Sequence, residues 1–140
     1  MNDRKLALIV KNQDPLILSA QDTVQHACRC MSERAVGAVL VTEFSGRLSG
    51  IFTGRDAVRV LRDNINAANT TLAATMTPNP QTLGPHCTTI EALRAMHDGG
   101  FRHMPVVSDG QILGVVSRAD FTGNEVGHLD YETHLWERNG

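Results

Sequence analysis

The apolar positions of this chain fall into short runs that come in matching pairs. "AVLV" at 38–41 and "LSGIF" at 48–52 make one pair, "MPVV" at 104–107 and "ILGVV" at 112–116 the other. Each run has strand length and each pair is joined by a Gly-containing turn, which predicts two β-hairpins. Ahead of each hairpin the spacing becomes helical: Ala27 and Met31 in "TVQHACRCM" recur as Ala92 and Met96 in "TTIEALRAM", 65 residues later. Asp22 or Thr23 opens the first of these helices, and Thr88 the second, where Thr88 and Glu91 have capping-box spacing. Short extended runs at 16–18 and 81–83 precede both. Each hairpin leads into a further helix, for which Ala57, Val58, Leu61 and Ile65 are the predicted buried stripe in the first copy.

The order is therefore β-α-β-β-α, twice, an α/β (α+β) fold. The strand-to-helix corner is itself repeated: "GIFTGRD" at 50–56 and "GVVSRAD" at 114–120 stand 64 residues apart. The offset changes from 65 to 64 across the hairpin turn, where loop length varies most freely. The boundaries read as an N-terminal segment 1–14, a first repeat 15–65, an Asn/Thr/Ala-rich linker 66–75, a second repeat 76–122 and a C-terminal segment 123–140. In the last of these, Tyr131 with Leu135 and Leu129 with Trp136 have helical spacing, which predicts a docking helix. With 140 residues in all, either half alone would struggle to bury a sufficient core, so the two repeats are expected to form one globular module.

Charge and cysteine usage narrow the function classes. A net charge of −2 with no long basic run favours neither nucleic acid nor an anionic membrane. "LALIV" at 6–10 is cut off by Lys11 and is followed by no cleavage site, so neither a signal peptide nor a transmembrane span is expected, and the location expected is cytoplasmic. Three cysteines, Cys28, Cys30 and Cys87, form no CxxC pair and fit reduced thiols. On a helix, Cys28 and Cys30 point about 200° apart. His26 and Cys30 share a face, but two ligands fall short of a metal site, and none is expected. Nucleophile elbow, P-loop and dinucleotide glycine fingerprint are all missing, which argues against an enzyme.

The corner carries the candidate chemistry. In "FTGRD" the Thr53 hydroxyl sits at a helix N-cap and Asp56 three residues on, where its carboxylate meets unsatisfied amides and the positive end of the helix dipole. Capping alone accounts for such a corner. The same groups suit a nucleotide as well, since amides and a hydroxyl attract phosphate and a carboxylate accepts ribose hydroxyls.

The doubled "G-apolar-apolar-[Thr/Ser]-x-x-Asp" corner, the "A-x-x-x-M" helices, the "HMPVV" strand and "MTPNP" at 76–80 resemble the paired motif of cystathionine-β-synthase (CBS) domain proteins over roughly residues 15–121. The resemblance implies a stand-alone tandem module of Bateman type, its two repeats packed about a pseudo-two-fold axis with two clefts between them. Such clefts hold adenosine-containing ligands: AMP, ADP, ATP or S-adenosylmethionine. By motif position, Asp56 and Asp120 would hold ribose hydroxyls, with Thr53 and Ser117 near ribose or phosphate and Arg55 and Arg118 near phosphate. Met104, Pro105, Val39 and Leu40 would wall the base, and the backbone near Thr77 and Thr82 would select adenine. Arg102 and His103, at the entrance to the second copy's strand, stand at a position that supplies phosphate contacts in nucleotide-sensing members; the first copy has Gly37 and Ala38 there. Arg55, Arg59 and Arg62 also read as a solvated helix face. The function implied is regulatory: no required cofactor, an adenine nucleotide as regulatory ligand, a homodimer and a target protein that receives the signal. The competing reading is a dimerisation or protein-interaction module that needs no ligand.

Overall fold

The computed structural model describes residues 4–121. Their backbone runs α1 (Leu6–Val10), β1 (Ile17–Ser19), α2 (Val24–Arg34), β2 (Ala38–Thr42), β3 (Leu48–Thr53), α3 (Gly54–Arg62), α4 (Leu72–Thr75), β4 (Thr77–Pro78), α5 (Thr89–Gly99), β5 (His103–Ser108) and β6 (Gln111–Ser117), and closes on a 3-10 turn at Arg118–Asp120. The predicted C-terminal helix lies outside the described residues.

The caps form where the sequence places them. The Thr23 hydroxyl accepts the His26 N–H at 3.1 Å and starts α2, and the Thr88 hydroxyl accepts the Glu91 N–H at 3.2 Å and starts α5. Both helices end in a left-handed residue, Ala35 at φ 53° and Gly100 at φ 71°, whose N–H returns to the last-turn carbonyls. The β5–β6 turn has Asp109 at φ 51° and Gly110 at φ 78°, the two positive values that a type I′ hairpin demands.

Two compact units result, each with its own core. One comprises 14–81 and 109–112; of the described residues, 4–13, 82–108 and 113–121 make up the other. In the first, β1 pairs in parallel with β2, β2 antiparallel with β3, and β3 antiparallel with β4. Its core joins Val24, Ala27 and Met31 of α2 with Val39, Val41, Phe52, Val60 and Leu72. In the second, Leu83 makes a parallel bridge to Val106 beside the β5–β6 hairpin, and the core joins Ala92, Leu93 and Met96 of α5 with Met104, Val106, Val116, Leu6 and Val10. Leu18 with Val41 and Leu83 with Val106 are the same pairing, 65 residues apart.

Each unit is also completed by a short helix from ahead of the other repeat. The stretch 71–76 packs on the first unit through a Thr23–Thr71 bridge and buried Leu72, and "MTPNP" continues there as β4 on the edge of β3. In the second unit, 5–10 does the same through a Lys5–Thr88 bridge and buried Leu6. The corner glycines admit these segments. A Cβ on Gly50 would run into the Met76 thioether, and one on Gly114 would lie 2.8 Å from Val10 Cγ1.

The predicted stripe of α3 needs correction. Val58, Leu61 and Ile65 are exposed, at 63%, 80% and 38%, while Val60 and Asp56 are the buried residues and Ala57 is half-buried. Apolar side chains lie on two sides of this helix, and its orientation follows from the corner: turning the Asp56 carboxylate inward puts Val60, one turn on, into the core. No helix among the described residues is long and apolar enough to cross a membrane.

Candidate functional site

The two corners open on the same backbone. Thr53 and Ser117 take extended φ values of −123° and −121°, and each forms a capping box with the aspartate three residues on. The amide that follows is held alike: Gly54 N–H donates to the Gly37 carbonyl at 3.3 Å, and Arg118 N–H to the Arg102 carbonyl at 3.2 Å. Gly37 and Arg102 are thus equivalent positions; past the aspartates the corners part, the first continuing as the α-helix Gly54–Arg62 and the second as a 3-10 turn that ends in extended Phe121.

In the first corner the Asp56 carboxylate is fully engaged. Its Oδ2 accepts the Thr53 N–H at 3.0 Å and the Thr53 hydroxyl at 3.4 Å. Its Oδ1 accepts Arg59 Nη1 at 3.2 Å and the Thr77 hydroxyl at 3.5 Å. Asp56 is only 3% exposed, whereas the Arg59 side chain keeps 53% exposure. Arg59, read from the sequence as a solvated residue, is therefore the charge partner of the buried carboxylate; its i, i+3 spacing from Asp56 was the available signal. Arg62 turns to Asp63 at 2.8 Å, and Arg55 is exposed.

In the second corner Asp120 is exposed. Its Oδ2 accepts the Ser117 N–H at 2.7 Å and the Ser117 hydroxyl at 3.3 Å, and among the described residues its Oδ1 has no hydrogen-bond partner. Arg4 donates to its backbone carbonyl at 3.0 Å. His103 is near enough to feel its charge: burial holds the imidazole below its ordinary value of 6.5, the Asp120 carboxylate opposes that shift and the Arg102 guanidinium adds to it. Arg102 and Arg118 are exposed, and the Asp120 carboxylate and the Arg102 guanidinium are both close enough to act on the His103 imidazole.

The remaining predicted residues divide by face. Val39 and Met104 are fully buried in the cores of their units, and Leu40 and Pro105, one residue on, lie on the opposite strand faces. Thr82 is exposed beside Leu83, and Thr77 belongs to the first corner through Asp56. His26 Nε2 and Cys30 Sγ approach to 3.7 Å, burial pushes the Cys28 thiol up, and no group of three metal-ligating side chains occurs among the described residues.

The family model for the CBS domain matches twice, at residues 9–63 and 72–126. A CBS domain-containing protein of Arabidopsis thaliana, CBSCBSPB2, is 40% identical over 102 residues, which are 72% of this chain and 19% of that protein. The chain thus spans about a fifth of the length of such relatives. Among solved structures, a CBS domain protein from Pyrobaculum aerophilum complexed with AMP superposes with a TM-score of 0.82 at 19% identity, covering 91% of this chain and 99% of that one. A CBS domain pair in complex with 5'-methylthioadenosine and S-adenosyl-L-methionine superposes with a TM-score of 0.78 at 19% identity, covering 94% and 99%. At that identity the likeness establishes the fold.

Proposed function

This chain belongs to the CBS-domain family, with two copies of the domain in tandem, and from that premise we propose that it is a regulatory module that binds an adenosine-containing ligand at the Ser117–Asp120 corner and signals its occupancy to a partner protein. The observation that carries this reading is the exposed Asp120 carboxylate, whose Oδ1 has no hydrogen-bond partner among the described residues. A ribose diol supplies two O–H donors to such a carboxylate, and the resulting bonds are charge-assisted. Arg102, His103 and Arg118 supply positive or chargeable groups for a phosphate, while Thr82 and Pro105 border the base, with Met104 buried behind. The AMP held by the Pyrobaculum protein and the methylthioadenosine and S-adenosyl-L-methionine held by the second structure support the class of ligand.

The role is one of sensing, with no reaction and no required cofactor. Transmission to a second protomer has a candidate surface in Val58 and Leu61, exposed one turn apart on α3, with Ile65 exposed just beyond the helix end, and such a surface suits a homodimer. That same surface favours the second reading, a dimerisation or protein-interaction module independent of ligand. Isothermal titration with AMP, ADP, ATP, S-adenosylmethionine and NAD separates the two. Binding of an adenosine compound that weakens in Asp120→Ala supports sensing; no heat from any of them, with a dimer still present, supports the second reading.

A further inference from the structure

We infer that the Thr53–Asp56 corner is closed to ligand by its own chain, Arg59 and Thr77 holding the carboxylate, so that each chain takes one adenosine-containing ligand; this rests on the ligand reading above. A carboxylate offers about four acceptor positions. At Asp56 all four are used, two on Oδ2 by Thr53 and two on Oδ1 by Arg59 and Thr77. A ribose diol brings two more donors and finds no acceptor left. To enter, it must displace Arg59 and Thr77 together, and so strip the countercharge from a carboxylate that is 3% exposed. At Asp120, among the described residues, two of the four positions are used, both on Oδ2, and the residue is exposed.

The sequence shows why the corners differ. At the 64-residue offset that relates Asp56 to Asp120, Arg59 corresponds to Gly123, which has no side chain to reach the carboxylate. Lys11 stands in the place of Thr77, at the 66-residue offset that relates Leu6 to Leu72, and makes no hydrogen bond or ion pair with Asp120. Phosphate recognition is divided the same way. The second corner has Arg102 and His103 at the strand entrance, whereas the first has Gly37 and Ala38, and its Arg59 is directed at its own aspartate. Arg59 and Thr77 are therefore specificity-determining residues: they set how many ligands the chain takes.

Equilibrium dialysis of the 140-residue chain against AMP and adenosine tests this, with circular dichroism confirming that each variant is folded. Wild type should bind one AMP per chain. Asp120→Asn should weaken binding more than tenfold, and Asp56→Asn less than twofold. The double variant Arg59→Gln/Thr77→Val should admit a second ligand, removed again by adding Asp56→Asn. Two equal sites in wild type, a folded Asp56→Asn as weak as Asp120→Asn, or a double variant that still holds one ligand would each overturn the inference. Wild type that binds neither compound would defeat the ligand reading itself; in that case the clamp on Asp56 survives only if the double variant gains binding, and fails if it does not.

Discussion

Leu6 and Leu72 hold the same place in their two units: each is fully buried, and each donates its N–H to the carbonyl just ahead of a capping threonine, Leu6 to Cys87 at 2.9 Å and Leu72 to Asp22 at 2.8 Å. The bond next to it is also duplicated, Thr89 N–H to the Arg4 carbonyl at 2.8 Å and Val24 N–H to the Thr70 carbonyl at 2.9 Å. Each leucine fills a core made otherwise by a helix and a hairpin of the repeat it joins. Truncating a buried leucine to alanine costs about 2–5 kcal/mol, from lost burial plus the cavity left behind. Leu6→Ala and Leu72→Ala should therefore each lower the unfolding free energy by about 2–4 kcal/mol in urea titrations. A loss under about 1 kcal/mol at either position would show that its helix does not complete the core.

The hairpins and capped helices were legible because alternation, turn glycines and threonine caps are local signals, and the corner because it is written twice. Leu72 was not. It is a single buried leucine in an Asn/Thr/Ala-rich stretch, with no period to betray it, and a five-residue helix at 6–10 carries hardly more. The α3 face misled for a different reason: Val58, Leu61 and Ile65 make as good a stripe as Ala57 and Val60, and only the inward turn of Asp56 chooses between them. Of the candidate site, motif spacing gave the aspartates and their caps. The engagement of Asp56 by Arg59 and Thr77 depends on where α3 and β4 come to lie, which no motif records.

His103 gives a pH dependence with a definite sign. In the ligand-free protein burial keeps its imidazole below the ordinary 6.5, and hence neutral at pH 7. A phosphate placed beside it favours the charged form, so the complex takes up a proton, and AMP affinity should rise as pH falls from about 8 towards 6. Adenosine, without phosphate, should respond much less. Titrations at pH 8 and 6.5 check this, and equal responses of AMP and adenosine would remove His103 from phosphate recognition.

The same shift bears on stability. The unfolded chain binds the His103 proton near 6.5 and the folded chain only at lower pH, so over that interval the unfolded state holds more protons. The ligand-free protein should therefore lose stability as pH falls through about 6.5 to the folded value, and His103→Gln should flatten that part of the profile. Thermal melts from pH 7.5 to 5 measure it; identical slopes in wild type and variant would contradict the assignment.

The exposed face of α3 predicts a change of assembly. Leu61 is 80% exposed and Val58 63%, and a glutamate at Leu61 puts a charge in the centre of any apolar contact made there. Leu61→Glu should convert a homodimer to monomer in equilibrium sedimentation at tens of micromolar, with little loss of monomer stability, since the side chain contributes nothing to the core. A wild-type chain that sediments only as a 15.3 kDa species would refute the dimer.

Ligand binding at the second corner depends on Asp120. Isothermal titration of wild type and Asp120→Ala with AMP tests it most directly, because the carboxylate is exposed and its removal leaves the core intact. Charge-assisted hydrogen bonds of about 1.5–3 kcal/mol each predict affinity more than tenfold weaker in the variant, and a much smaller effect from Arg118→Ala, whose guanidinium is exposed to solvent and salt. A folded Asp120→Ala protein that binds AMP as tightly as wild type would contradict the proposal that this corner holds the ligand's ribose.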